Sequence, residues 1–119
     1  MIRQILLVGL GGAVGSMLRY IVQRYANIPG LPYGTLLVNL AGCFLIGLFW
    51  GLLSKNSITQ ANAVLVMSGF CGGFTTFSAF TYEGVQMMQD NRWLLLTSYI
   101  AASIVGGLFA TFAGYKLTS

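Results

Sequence analysis

The sequence predicts an all-α integral membrane protein of four transmembrane helices, the third broken, that pairs with an inverted copy of itself as an antiparallel, dual-topology homodimer. Three observations point there. Of the 119 residues, 56% are hydrophobic and 7% charged, whereas a soluble domain carries about a quarter charged residues. Weakly charged runs recur, each near the ~20 apolar residues that a helix needs to cross a hydrocarbon core of about 30 Å. The basic residues are divided almost evenly between the two ends of the spans.

The first span covers residues 5–25. MIRQ followed by ILLVGLGGAVGSML has the charge order of a secretory signal, but the apolar run is too long for an h-region and no small-x-small cleavage site follows, so it is read as a helix. Gly11 and Gly15 form a GxxxG that lets another helix approach closely. GLGGAVG is no dinucleotide fingerprint: Val14 stands where the last glycine belongs, and no βαβ unit surrounds it. A connection with Asn27, Pro29, Gly30 and Pro32 leads to the second span, 33–53, which holds Asn39 and a second GxxxG at Gly47 and Gly51. Lys55, Asn56 and Ser57 precede the third span, 60–88; Asp90, Asn91 and Arg92 precede the fourth, 93–115, where Ala102, Gly106, Ala110 and Gly114 make a small-residue ladder and Tyr99 and Ser103 share a face. The whole of 1–119 reads as one transmembrane domain.

If the spans alternate, Arg3, Lys55 and Lys116 lie on one side and Arg24 and Arg92 on the other, with Arg19 able to snorkel towards the latter pair. The positive-inside rule needs an excess, so this balance instructs neither orientation. Inverted copies would pair about a two-fold axis in the membrane plane. A helper or a further signal fixing one orientation is the alternative.

No histidine, only two acids and no CxxC leave few routes to hydrolytic, redox or metal catalysis, so an enzyme is not expected. Cys43 and Cys71 both fall within spans and are read as small buried hydrophobes rather than a disulfide or metal cluster. The +4 net charge belongs to helix ends facing headgroups, not to nucleic-acid binding.

The third span carries the most unusual residues, SGFCGGFTTFSAFTYEG. Gly72 and Gly73 weaken a helix, and Thr75 and Thr76 can satisfy backbone groups that a break releases. Irregular backbone at membrane depth must be buried in protein or line a polar cavity. Two half-helices meeting near Gly72 to Thr76 are therefore expected, with dipoles aimed at the break and carbonyls able to ligate a cation such as Na⁺. A continuous helix with close-packed glycines is the competing expectation. Beyond the break, Phe77 and Phe80 share a face, and Thr76, Phe80 and Glu83 follow i, i+4, i+7. Aromatic edges are positive and tolerate an anion, although Phe70, Phe74, Phe77 and Phe80 could also be packing residues. Asn39, Tyr99 and Ser103 supply donors that would suit a dehydrated anion or simply join helices. Arg19 could hold anions at an entrance. Glu83 on such a route would repel an anion unless protonated, paired or turned aside.

The motifs GGAVGSMLRY, PYGTLLVNLAG and GFCGGFTTFSAF together resemble the small dual-topology fluoride channels, the Fluc or CrcB family, over essentially the whole chain. The resemblance implies passive fluoride export across a bacterial inner membrane, conferring fluoride resistance, through an antiparallel homodimer with two pores and a central structural Na⁺. It assigns Asn39, Phe77 and Phe80 to the fluoride pathway with Tyr99 beside them, and the carbonyls of Gly72 and Thr75, completed by a second protomer, to Na⁺. Ser78, Thr81 and Glu83 would continue a polar track, and Arg19 would be the positive residue of the first helix. Ala79 and Gly107 stand where members can carry hydroxyls. A small multidrug or guanidinium transporter would need a glutamate in the first span, which has none; a non-transporting assembly factor predicts no flux.

Overall fold

The computed structural model describes residues 1–119 and contains no strand beyond a single bridge between Ile28 and Leu31. Helix α1 runs Ile2–Ala26 and α2 Tyr33–Ser54. The third span, Gln60–Gln89, is built from α3 (Gln60–Ala63), a π-helical segment (Val64–Cys71), α4 (Gly72–Phe74) and α5 (Phe77–Gln89). Helix α6, Trp93–Thr118, is the fourth. All four spans are long and apolar enough to cross a membrane, making this a multi-pass membrane protein. Only 16 of 119 residues are buried, and side chains such as Leu94 and Phe109 point outward, as lipid-facing surfaces require.

The chain ends its helices with local signals. Lys55 and Asp90 are followed by Asn56 and Asn91, both with positive φ. Asn56 and Ser57 donate to Leu53 and Leu52, and Asn91 and Arg92 to Met88 and Met87, so both ends are Schellman closures with asparagine in the left-handed position. The α1–α2 turn is made by Gly30, at φ 78°. Asn27 then reaches forward: its Oδ1 accepts the amides of Gly34 (2.6 Å) and Thr35 (3.1 Å), two donors that the first turn of α2 would otherwise leave unpaired.

Glycines set the packing. A Cβ at Gly11 would meet the Leu65 carbonyl and the Phe70 amide, and one at Gly15 the carbonyl of Phe70 and the amide of Phe74, so α1 lies directly on the backbone of the first half of the third span. Gly73 returns the contact against Gly12. Gly47 and Gly51 lie on α6 at Thr111 and Tyr115, and α2 with α6 forms the most extensive helix pair. Of the expected α6 ladder Ala102, Gly106, Ala110, Gly114, the two glycines face α2: a Cβ at Gly106 would meet the Leu40 side chain at 3.0 Å and one at Gly114 the main chain of Phe44 and Leu48. Gly107 and Gly114 are buried, while Ala102 is exposed. Thr111 and Thr118 share the packed face and donate their hydroxyls to the carbonyls of Cys43 and Leu48. Two threonines at helical spacing serve here as packing residues, because each satisfies its hydroxyl on a carbonyl of the neighbouring helix.

The third span is interrupted, and the continuous-helix alternative is not what the chain adopts. The interruption is narrower than the expected 72–76. Gly72 is still helical, at φ −61° and ψ −38°, and only Thr75 (φ −92°, ψ 158°) and Thr76 (φ −151°, ψ 116°) are extended. The glycines before it permit helix contact, as Gly73 on Gly12 shows, and the threonines carry the change of direction. No residue pattern in the sequence signals the π-helical run of Val64–Cys71.

Candidate functional site

The break closes on itself through side chains of other helices. Thr76 donates its amide to Asn39 Oδ1 at 2.7 Å, and its carbonyl accepts from Asn39 Nδ2 at 3.1 Å. One asparagine side chain thus satisfies both main-chain groups of the residue at the break, where water cannot be relied on to do so. Thr76 also caps α5, its Oγ1 accepting the amide of Ala79 at 3.1 Å. On the other side, Arg19 Nε donates to the Gly73 carbonyl at 2.9 Å. A guanidinium there meets a carbonyl near the end of α4, the negative end of a helical segment. The arginine expected at an entrance is therefore docked on the broken helix, a position fixed by α1 packing on this backbone through Gly12 and Gly15.

Helix α5 carries the aromatic group. The Phe77 and Phe80 rings have centroids 5.7 Å apart, and Phe80 lies 5.1 Å from Tyr99 on α6. Phe77 is 76% exposed on the isolated chain. Tyr99 is buried, and its hydroxyl donates to Glu83 Oε1 at 2.9 Å. Glu83 Oε2 accepts from the Thr35 hydroxyl at 2.7 Å and from Asn27 Nδ2 at 3.3 Å. This carboxyl is held by hydrogen bonds: three neutral donors, Tyr99, Thr35 and Asn27, converge on it. Thr35 is fully buried and also accepts from Gln23 Nε2 at 3.1 Å, joining α1, α2 and α5.

Two cavities flank this group. One of about 350 Å³ is lined by Asn39, Thr76, Phe77, Phe80 and Ser103, among others. The Oγ of Ser103 is buried without a hydrogen-bond partner. The other, about 470 Å³, lies against the α1–α2 turn with Asn27, Glu83 and Arg92 in its wall. Arg92 Nη1 donates to the Gly30 carbonyl there at 2.9 Å. Phe80, Tyr99 and Glu83, consecutive contacts, connect the lining of the first cavity to that of the second.

Asn39, Thr76, Phe77, Phe80, Tyr99, Glu83 and Ser103 are thus gathered as one cluster. Ser78 and Thr81 lie on the exposed side of α5 and join the cluster only through Thr76: Ser78 Oγ pairs with Thr76 Oγ1 at 3.1 Å, and Thr81 donates to the Ser78 carbonyl at 3.0 Å. Thr75 turns its hydroxyl back onto the Cys71 carbonyl at 2.9 Å. Gly72 is exposed, with no atom near the position of a Cβ. Sequence reasoning missed Gln23, Asn27 and Thr35. A signal existed for the first two, which are i, i+4 polar residues at the end of α1; Thr35 resembles any threonine in a first helical turn.

Thr35→Val is expected to cost about 1–3 kcal/mol, because the half-buried Glu83 and Gln23 groups each lose a partner on the fully buried Thr35. A thermal unfolding series on the purified variant measures it, and an unchanged midpoint would show that the cluster is not cooperative.

Comparison with known proteins gives a consistent result. Residues 6–115 match the family model described as CrcB-like protein, Camphor Resistance (CrcB). A Leptospira interrogans protein named fluoride-specific ion channel FluC is 44% identical over 116 residues, covering 94% of this chain and 91% of its own. Proteins of the same name from Flavobacterium psychrophilum and Gloeothece citriformis are 42% and 44% identical, each over 117 residues, covering 94% and 96% of this chain and 94% and 95% of theirs.

Proposed function

The chain belongs to the CrcB-like family, and from that premise we propose that it is a fluoride-selective channel, a passive exporter across a bacterial membrane rather than an enzyme. The name that the relatives bear, fluoride-specific ion channel, supports the ion. The observation that carries the mechanism is the junction at Thr76: a helix N-terminus, an amide-bearing side chain and two aromatic rings converge on one cavity.

The chemistry follows from those parts. Fluoride is small and strongly hydrated, so a protein that passes it must replace water with donors and positive edges and yet not bind it permanently. The start of α5 offers the positive end of a helix dipole. The edges of Phe77 and Phe80 carry positive charge without a full cation's grip. Ser103 holds an unpaired hydroxyl beside the same cavity. Onward passage is past Tyr99 to the wall of the second cavity, where Glu83 has its oxygens occupied by Tyr99, Thr35 and Asn27 and so presents less bare charge to an anion.

Two finer elements belong to the same proposal. An inverted second copy makes an antiparallel dimer with two pathways, consistent with the balanced basic residues and with the large outward apolar surface of the single chain. Na⁺ at the dimer axis would be held by the carbonyls of Gly72 and Thr75 with their counterparts from the second copy. The donor set suits it: main-chain carbonyls are hard oxygen ligands, Thr75 has left the helical ladder, and open space surrounds Gly72. The ion would supply a positive centre that fixes the two breaks together.

Efflux from liposomes containing only the purified chain, read with fluoride and chloride electrodes, tests the function. Rapid fluoride loss with little chloride loss is expected; no fluoride loss from dimeric protein would favour an assembly factor. Phe80→Ile is expected to lower fluoride flux by at least about tenfold, or about 1.4 kcal/mol, without changing dimer elution, since a branched apolar side chain fills space but has no positive edge. Thiol-reactive labelling of cysteines placed at both termini, from both faces of intact cells, is expected to find each terminus on both sides, and a single labelled face would refute dual topology.

A further inference from the structure

The two cysteines, taken from sequence as packing residues, line the same cavity as Asn39 and Phe80. Both are free. Cys43 is on α2 and Cys71 ends the π-helical segment. A contact one residue and one helical turn away holds these stretches together: a Cβ at Gly42 would fall on the Thr75 methyl, and the Thr75 hydroxyl is bonded to the Cys71 carbonyl at 2.9 Å. The Cys43 carbonyl is held in turn by the Thr111 hydroxyl at 3.0 Å. Each thiol thus rises from main chain that a threonine has pinned. Cys71 is only 1% exposed, Cys43 is partly exposed, and Met67 and Ile46 add apolar wall around them.

We propose that Cys43 and Cys71 form a two-sulfur site for a thiophilic d¹⁰ cation, with Hg²⁺ the ion it suits best. Soft thiolates select soft metals, and two-coordinate mercury needs only two opposed sulfurs. Charge decides among such ions. Two thiols and Hg²⁺ give a neutral bis-thiolate as each S–Hg bond forms and each S–H bond breaks, the two protons leaving to water and no atom changing oxidation state. A monovalent ion held by two thiolates would leave a net negative charge in a low-dielectric cavity that contains no basic side chain to pair with it. Hard cations are excluded by the donors. The bound ion occupies space beside Asn39, Thr76 and Phe80 and stops conduction, a consequence that rests on the pathway proposed above.

The site is tested first by binding, independently of flux. Purified dimer is loaded with mercuric chloride, washed with excess monothiol and assayed for mercury by mass spectrometry. One Hg²⁺ per chain, resistant to the wash, with an ultraviolet thiolate-to-mercury band in the parent protein, is expected. Cys43→Ala and Cys71→Ala should each lower retained mercury at least about tenfold, because a single sulfur loses the advantage of intramolecular capture. Retention equal to the parent in either variant, or two ions per chain, overturns the site. Dimer elution identifies any misfolded variant, and Cys71→Ser then takes the place of Cys71→Ala. In liposomes, mercury should block fluoride efflux by the parent and spare the double variant. A loaded parent that still conducts overturns the placement beside the route, whereas the fluoride function itself is judged by untreated efflux.

Discussion

Asn39→Asp is expected to abolish fluoride flux in a protein that still folds. The substitution keeps the acceptor for the Thr76 amide but replaces the donor facing the Thr76 carbonyl, 3.1 Å away in the parent, with a second oxygen. The structural loss is one hydrogen bond, with an oxygen now facing the Thr76 carbonyl, about 1–3 kcal/mol. The electrostatic effect on an anion is larger: a unit charge at ~4 Å and an effective dielectric of ~20 opposes it by about 4 kcal/mol, close to a thousandfold in rate. Flux should therefore fall far more than stability does. Electrode traces paired with thermal unfolding separate the two, and Asn39→Ala, which leaves both Thr76 groups unpaired, should show the larger loss of stability. Normal conduction by Asn39→Asp would remove this residue from the route.

Gly47→Val is expected to prevent folding outright. A Cβ at this position falls on the carbonyl oxygen of Thr111 and comes within 2.9 Å of its carbon and 3.0 Å of the Tyr115 amide nitrogen. These are main-chain atoms with no rotamer to change, so α2 and α6 must separate. Separation would pull apart the Thr111 and Thr118 hydrogen bonds as well. Overpacking commonly costs about 1–3 kcal/mol, and a displaced helix pair exceeds that range. Gly9→Ala is the control: nothing lies within 4 Å of its Cβ, and alanine favours a helix over glycine by about 1 kcal/mol. Monodisperse protein recovered after detergent extraction measures both, and a stable Gly47→Val protein would show that α2 and α6 can repack.

Much of this architecture was legible in the sequence because the bilayer reduces secondary structure to a question of length and polarity. The four spans follow from that, with helices extending to Ile2 and Thr118, a few residues beyond the expected limits. The break was legible for the same reason: Thr75 and Thr76 next to glycines make little sense in lipid unless something releases and then satisfies the backbone. Its exact position was not, because glycine has two uses that look alike in one dimension. Gly72 and Gly73 remain helical, and Gly73 permits the approach of Gly12. The ladder on α6 was legible in part: Gly106 and Gly114 face α2, but so do Gly107, Thr111 and Thr118, the threonines because their hydroxyls find carbonyls on α2. Among the site residues, Asn39, Phe77, Phe80 and Tyr99 stood out as polar or aromatic groups within apolar spans. Thr35 and Asn27 did not, since their importance lies in the three-way meeting on Glu83, which depends on which helix ends fall side by side.

The closure of the break has a consequence for biogenesis. Asn39 and Arg19, which attend to Thr76 and Gly73, both belong to the same chain as the break and precede it in synthesis. When the third span leaves the translocation machinery, its partners are already in the membrane. The Thr76 amide and carbonyl and the Gly73 carbonyl thus have their partners in lipid without any second subunit, and if the protein pairs as proposed, pairing need not rescue them. On that proposal folding and assembly become separable stages, and an oppositely inserted copy made at another time and place would remain a usable mate.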